Sequence, residues 1–159
     1  MEEALIYCLK QTPITFDVGD FLASVEQATR LAESWVHNDE GDNGDKISVR
    51  IAHLITNIDR MSPEDVAEEY KGGGYAYESL PFSLAFFCMG QHDAGCVYDC
   101  VGSGGDTDTN GSMVAAMVGA LRGESAFSKS LLYKLLGFPD IDLLTGQFAD
   151  WCETLSDKA

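Results

Sequence analysis

Apolar side chains recur three and four residues apart along residues 18–36, and this spacing limits the possible folds more than any other feature of the sequence. They are Phe21, Leu22, Val25, Ala28, Leu31, Ala32 and Trp35. Side chains at this spacing lie on one face of an α-helix, and Asp17, just before them, is a favourable N-cap. No stretch of the chain alternates apolar and polar residues as a half-buried strand does. The sequence therefore predicts an all-α fold.

Helix start and stop signals recur along the rest of the chain. Ser62 precedes Pro63, and Asp65 follows three residues after the serine, which predicts a capping box. Three glycines at 72–74 predict the end of that helix. The chain has 159 residues and no domain-scale linker, so we predict one compact multi-helix domain over 1–159.

Four further segments have the apolar content of helices. A buried helix is predicted over 78–89, with Pro81 in its first turn, where a missing N–H costs little. Helices are also predicted over 111–122, 124–136 and 140–155.

The charge balance excludes some classes of partner. The chain has 26 acidic and ten basic residues, which gives a formal net charge of −16. Such a surface repels phosphate backbones, so we expect no nucleic-acid partner. No apolar run is long enough to cross a bilayer, and the acidic N-terminus does not resemble a signal peptide. Five cysteines without an export signal predict free thiols and a cytoplasmic location.

In the segment GGDTDTN at 104–110, residues 106–109 carry four oxygen-bearing side chains in a row ahead of an apolar helical run. One interpretation is ordinary helix capping, which needs only one such residue. Another is a metal site, because the alternation can turn Asp106 and Asp108 to one side of an extended loop, with the Thr109 hydroxyl beside them. A calcium loop of the EF-hand type is disfavoured, because its twelfth position, which should be a glutamate, is Met117.

This segment, with the small-residue helix and GALRG that follow it, resembles the C-terminal metal motif of the ADP-ribosylglycohydrolase family. GGGYAYESLPFSLAFF at 72–87 is similar to the glycine-rich segment of that family, and its distance from the aspartate motif also fits. FPDIDLLTGQFADW at 138–151 lies where family members have a last helix. The resemblance covers residues 46–155 well and the first 45 loosely.

The resemblance implies an all-α enzyme that hydrolyses linkages of ADP-ribose to protein side chains, or related ones, with two Mg or Mn ions. It implies that Asp106, Asp108 and Thr109 are metal ligands. The residues it places at the ligand cleft are Gly72, Gly73, Gly74, Ser103 and Gly104. The corresponding partner would be ADP-ribose or an ADP-ribosylated protein.

The chain departs from the family in its N-terminal part. The family has a Gly-Asp segment, a catalytic acid and a Thr-Asp-Asp motif there, and nothing in residues 1–60 matches them. Gly19-Asp20 lies inside a predicted amphipathic helix, and the acidic segment at 37–46 has no Thr-Asp-Asp. No catalytic residue is identified, so we expect the isolated chain to be inactive. Hydrolysis would need the missing half from a partner chain.

Three hypotheses follow from that departure. The chain is one half of a split hydrolase, a non-catalytic binding protein that keeps the helical scaffold, or a degenerate or truncated gene product with only residual function. A half-sized domain should expose an apolar face, so we expect a homodimer or a complex with a complementing chain. The apolar helices over 4–9 and 78–89 are expected to form that face.

Other side chains admit a functional and a structural interpretation. Cys88, His92, Cys96 and Cys100, four residues apart, could bind zinc, but buried structural thiols are the commoner outcome. A cysteine nucleophile, Cys96 or Cys100 with His53 or His92, has no supporting local motif. Phe82, Phe86 and Phe87 are predicted to be core residues. Tyr75 and Tyr77 could stack on an adenine or pack at a helix end.

Overall fold

The computed structural model describes residues 1–35 and 46–156, and within these ranges the chain contains helices but no strand. The all-α prediction is confirmed. The α-helices are α1 (Glu2–Lys10), α2 (Val18–Trp35), α3 (Ile47–Asn57), α4 (Pro63–Tyr70), α5 (Ala76–Met89), α6 (Ala94–Gly102), α7 (Thr107–Arg122), α8 (Lys129–Leu132) and α9 (Phe138–Ser156). The acidic segment predicted at 37–46 lies outside the described residues, except for Lys46.

The predicted helix starts form as the sequence indicates. The Asp17 carboxylate accepts a hydrogen bond from the backbone N–H of Asp20 at 2.8 Å. At the start of α4, the Ser62 hydroxyl accepts from the Asp65 N–H at 3.2 Å, and the Asp65 carboxylate accepts from the Ser62 N–H at 2.8 Å. These bonds satisfy N–H groups that a helix end leaves without partners.

The chain divides into two compact units, Met1–Ala126 and Phe127–Ala159. In the first unit, α5 packs against α3, α4, α6 and α7. Phe82, Phe86 and Phe87 are buried there, as predicted. The expectation that the helix over 78–89 forms an exposed apolar face is wrong, because α5 is the helix that its neighbours cover on all sides.

Three predicted helix boundaries are also wrong. Helix α5 begins at Ala76, so Pro81 lies in the helix interior rather than in the first turn. Helix α7 begins at Thr107, four residues earlier than predicted, because the polar residues of the motif form its first turn. The predicted helix over 124–136 is replaced by a 3-10 turn (Glu124–Ala126) and the four-residue α8.

The second unit contains α8 and α9, and its described apolar side chains are mostly exposed. They include Leu135, Leu136, Ile141, Leu143, Leu144, Phe148 and Trp151. None of the helices in the described ranges has the length and apolar character that crossing a membrane requires.

Candidate metal centre

The predicted metal ligands lie at the first turn of α7. Asp106 occupies the N-cap position, and Asp108 and Thr109 follow in the turn itself. Although Asp106 stands where a capping side chain would, its carboxylate makes no capping hydrogen bond. The capping interpretation therefore does not account for this side chain. The extended loop expected around Asp106 and Asp108 is instead helical from Thr107 onwards.

The carboxylates of Asp106 and Asp108 lie within hydrogen-bonding reach of each other. This side-chain hydrogen bond and the backbone N–H of Thr109, which donates to Asp108 Oδ1 at 2.8 Å, hold the pKa of Asp108 below its usual value. Asp108 and Thr109 are exposed and Asp106 is half-buried. Two carboxylates at a helix N-terminus, one of them with a lowered pKa, are oxygen donors of the kind that a hard cation would bind.

The glycine segment 72–74 holds this turn in place. The Gly72 carbonyl accepts hydrogen bonds from the Asp106 N–H and from Asn110 Nδ2, both at 2.7 Å. Gly105 lies against the same carbonyl with a φ of 75°, and a Cβ there would collide with Gly72 O. Only glycine combines this backbone conformation with so close an approach. The two glycine-containing segments therefore meet directly.

Asn110 is a positioning residue that the sequence did not identify. Its side chain is fully buried. Besides the bond to the Gly72 carbonyl, it accepts a hydrogen bond from the Ser83 hydroxyl of α5 at 3.4 Å. One amide thus joins α7, α5 and the glycine segment. In the sequence, Asn110 appears as a polar residue at the start of an apolar run, and this polarity was attributed to the loop before the helix.

The other two glycines of the segment lie beside acidic side chains. A Cβ on Gly73 would collide with the Glu78 carboxylate, and a Cβ on Gly74 would lie 3.4 Å from Asp106 Oδ2. The backbone here is therefore closely lined by oxygen atoms from α5 and α7. Glu78 was not singled out from the sequence.

Two tyrosines extend from this edge. Tyr75 and Tyr77 stack on each other, with ring centroids 5.8 Å apart and planes 22° apart. The Arg50 guanidinium lies 5.8 Å from the Tyr77 ring centroid, so Tyr77 packs against α3. Tyr75 is 69% exposed. Of the two, Tyr75 presents its ring to solvent beside the glycine segment.

Ser103 and Gly104 precede the aspartates on the same loop. The Ser103 hydroxyl donates to the Asp99 carbonyl at 2.8 Å, which ties it to the end of α6. Gly104 has a φ of 88° and open space around its α-carbon. Their predicted role in ligand binding, like that of Gly72, Gly73 and Gly74, stays a prediction.

The cysteines and histidine of the zinc interpretation lie mainly in the core. Cys88, Cys96 and Cys100 are buried, and burial raises the pKa of Cys100 to about 12. The chain as far as the structure describes it has no group of three or more His, Cys, Asp or Glu side chains that could hold a metal ion. The zinc interpretation is therefore not supported. A protonated buried thiol is also a poor nucleophile.

Two grooves of the first unit have linings that do not include the aspartates. One of about 380 Å³ is lined by residues of α2 and α3, including Glu33 and Ser48. Another of about 400 Å³ is lined by residues of α1 and α2, including Leu31 and Trp35. Neither groove is lined by Asp106, Asp108 or Thr109.

Comparison with known proteins adds an independent observation. The sequence model of the family described as ADP-ribosylglycohydrolase matches residues 3–158. The uncharacterized protein YegU of Escherichia coli (strain K12) is 32% identical over 92 residues. That match includes 56% of this chain and 28% of YegU, so the chain matches well under two thirds of this relative's length. No solved structure matched the chain.

Proposed function

Because the chain belongs to the ADP-ribosylglycohydrolase family, we propose that it supplies the Asp106, Asp108 and Thr109 part of a divalent-metal site for hydrolysis of ADP-ribose linkages. The family is generally metal-dependent. The observation that carries the proposal is the pair of interacting carboxylates at the start of α7, one of which occupies the N-cap position without capping.

The donor set fits a hard cation. Carboxylate and hydroxyl oxygens are the ligands that Mg and Mn take in proteins, usually together with several water molecules. The described residues bring only this part of the ligand set together, so we expect weak binding by the isolated chain. A bound cation would polarise the linkage and stabilise negative charge on the departing group.

The residues of this chain would act by binding and orienting. Asp106 and Asp108 would hold the cation, and the negative charge of the pair is stabilised by the N-terminus of α7. Asn110 keeps that turn against the Gly72 carbonyl, so the carboxylates are fixed relative to the glycine segment. The backbone of 72–74, without side chains, would let a substrate approach closely.

The missing groups are proposed to come from a complementing chain. No general acid or base was identified from the sequence, and the chain matches only 28% of YegU. A hydrolase of this kind needs an acid or base group beside the cleft. In this proposal a second polypeptide carrying the Thr-Asp-Asp half would complete the ligand set and supply that group.

A calorimetric titration with Mn²⁺ tests the metal site. The double variant Asp106→Ala with Asp108→Ala should lose detectable binding, because it removes both carboxylates. The matched control, Asp150→Ala with Glu153→Ala, removes the same charge from α9 and should bind as the unchanged chain does. Survival of metal binding in the first variant would place the site elsewhere.

An assay of ADP-ribose release tests the activity. The chain alone should release ADP-ribose from modified protein at the background rate, and addition of a complementing Thr-Asp-Asp chain should give release that requires Mg or Mn and Asp106. Metal-dependent release by the chain alone, lost in Asp106→Ala, would contradict the split-enzyme proposal. It would indicate a site built across an oligomer.

A non-catalytic ADP-ribose-binding protein is the second candidate function. The exposed Tyr75 ring beside the glycine segment supports it, because an aromatic face can stack on adenine. ADP-ribose binding by the chain alone, weakened about tenfold or more in Tyr75→Ala and unaffected in Asp106→Ala, would favour this candidate. The control variant is Tyr98→Ala, which removes another exposed tyrosine.

A further inference from the structure

Helix α9 carries a narrow apolar stripe that its own unit leaves uncovered. Ile141, Leu144, Phe148 and Trp151 follow one another at intervals of three, four and three residues, so they lie along one face of the helix. All four are more than half exposed. A stripe at this spacing is the pattern by which two helices pair side by side.

The charges of α9 point to a second copy of the chain as the partner. Asp142, Asp150 and Glu153 lie on the side away from the stripe. The positions that border it carry uncharged residues, apart from Asp140 in the first turn; these are Thr145, Gln147, Cys152 and Thr154. The chain has a net charge of −16, so two copies repel each other over most of their surfaces. This face is one on which they can approach without that repulsion.

The order of side chain sizes selects the direction of pairing. The stripe is symmetric in spacing about position 146, so an antiparallel pair sets Ile141 against Trp151 and Leu144 against Phe148. Each aromatic ring then meets an aliphatic side chain, and large and small residues interdigitate. Parallel pairing would instead oppose Phe148 to Phe148 and Trp151 to Trp151. Antiparallel helices also oppose their dipoles favourably.

We propose that two copies of the chain form a two-fold symmetric dimer by antiparallel pairing of α9. The pairing surface is defined as Ile141, Leu144, Phe148 and Trp151. The helix has 19 residues and is about 28 Å long, so the contact lies at the small end of specific interfaces. A two-fold contact is closed, which limits the assembly to a dimer. The proposal does not depend on the metal site.

Sedimentation of the full chain between about 1 and 100 µM, a range that spans micromolar affinities, tests the pairing surface. Phe148→Glu should weaken the dimer at least about a hundredfold, because it buries an unpaired charge in the contact. Leu143→Glu is the matched control: Leu143 is 61% exposed, against 63% for Phe148, but lies off the stripe. The control should dimerise like the unchanged chain.

A cross-linking experiment tests the direction. In the antiparallel dimer, Thr145 of the two copies meet near the two-fold axis, whereas parallel pairing sets them apart. With Cys152→Ser removing the exposed cysteine, Thr145→Cys should form a disulfide-linked dimer in oxidised glutathione at least about ten times faster than Glu153→Cys. Glu153 lies on the far side of the helix.

Several results would overturn the proposal. A monomer throughout the concentration range, or equal dimerisation of Phe148→Glu and the unchanged chain, would mean that the stripe does not join copies. At a concentration where the unchanged chain is also monomeric, a thermal midpoint lower in Phe148→Glu than in Leu143→Glu and the unchanged chain would mean that the stripe packs on its own chain. A dimer whose Thr145→Cys variant links no faster than Glu153→Cys would exclude the antiparallel arrangement.

Discussion

Two neighbouring segments of the chain both carry candidate metal ligands, but the fold leaves one segment accessible and buries most of the other. The acidic turn, defined as Asp106, Asp108 and Thr109, lies at the accessible start of α7. The thiol cluster, defined as Cys88, His92, Cys96 and Cys100, lies between α5 and α6, with its sulfur atoms buried. The acidic turn begins only six residues after the thiol cluster ends.

The comparison shows that burial decides which set remains chemically available. Desolvation raises the pKa of Cys88 and Cys100, so these thiols stay protonated. In the acidic turn, hydrogen bonds lower the pKa of Asp108, so its carboxylate stays ionised. A metal ligand must be deprotonated to bind. A set of candidate ligand residues in the sequence therefore predicts a metal site only where the fold leaves the charged form of those residues stable.

The largest expected effect concerns the reactivity of the cysteines. At pH 8, a thiol reagent such as Ellman's reagent should modify Cys152 rapidly, because it is exposed. The four buried thiols should react at least about a thousandfold more slowly, because the protein must open to expose them and because their pKa values are raised. They are Cys8, Cys88, Cys96 and Cys100. Mass spectrometry of the labelled peptides gives each rate.

Cys152→Ser provides the control for this measurement, since it should remove the fast phase and leave the slow one. Fast modification of Cys96 or Cys100 in the folded protein would reverse the comparison. It would mean that the thiol cluster is accessible to solvent and available to bind a metal ion.

A smaller effect is expected from removing the side chain that holds the acidic turn. Asn110→Ala should lower the free energy of unfolding by about 1–3 kcal/mol, because it leaves buried polar groups with fewer partners. Chemical denaturation followed by circular dichroism measures the change. Ser112→Ala, two residues along the same helix and exposed, should cost much less. Equal losses in the two variants would mean that Asn110 does not hold the turn.

The smallest effect expected is a pH dependence of stability from His92. Its ring packs against Phe16 and Phe87, with centroids 4.6 Å and 4.9 Å away, and its Nε2 is buried without a partner. Burial lowers the pKa of His92 below 6.5, as does the Arg122 charge, whereas Asp93 opposes them. The unfolded chain therefore binds a proton at a higher pH than the folded chain.

The contribution of His92 to stability is thus complete above pH 6.5 and is lost as the pH falls from there through its lowered pKa. The slope from this group is at most about 1.4 kcal/mol per pH unit. His92→Asn, which tolerates the positive φ at this position, should flatten the decline between pH 7 and 5 in urea unfolding. Gln91→Ala should retain it. An unchanged slope in His92→Asn would mean that the ring is protonated in the folded protein.

Local patterns predicted the helices where a start signal and an apolar face coincide. The capping box of Ser62 and Asp65 and the run of α2 are examples. Boundaries were missed where tertiary contacts decide them. Helix α7 starts at Thr107 because the Gly72 carbonyl accepts from the Asp106 N–H and fixes the chain there. That contact joins residues far apart in sequence, so no local pattern could indicate it.

The sequence by itself determined that the chain is helical, that it belongs to its family, and that two carboxylates stand at the start of an apolar helix. Helix periodicity and motif spacing are local properties, so they can be read along the chain. Only the tertiary structure decided that Asn110 joins the glycine segment to α7, that the thiol cluster is buried, and that the stripe of α9 is exposed. Burial and long-range hydrogen bonds depend on which helices pack together, and packing is a property of the whole fold.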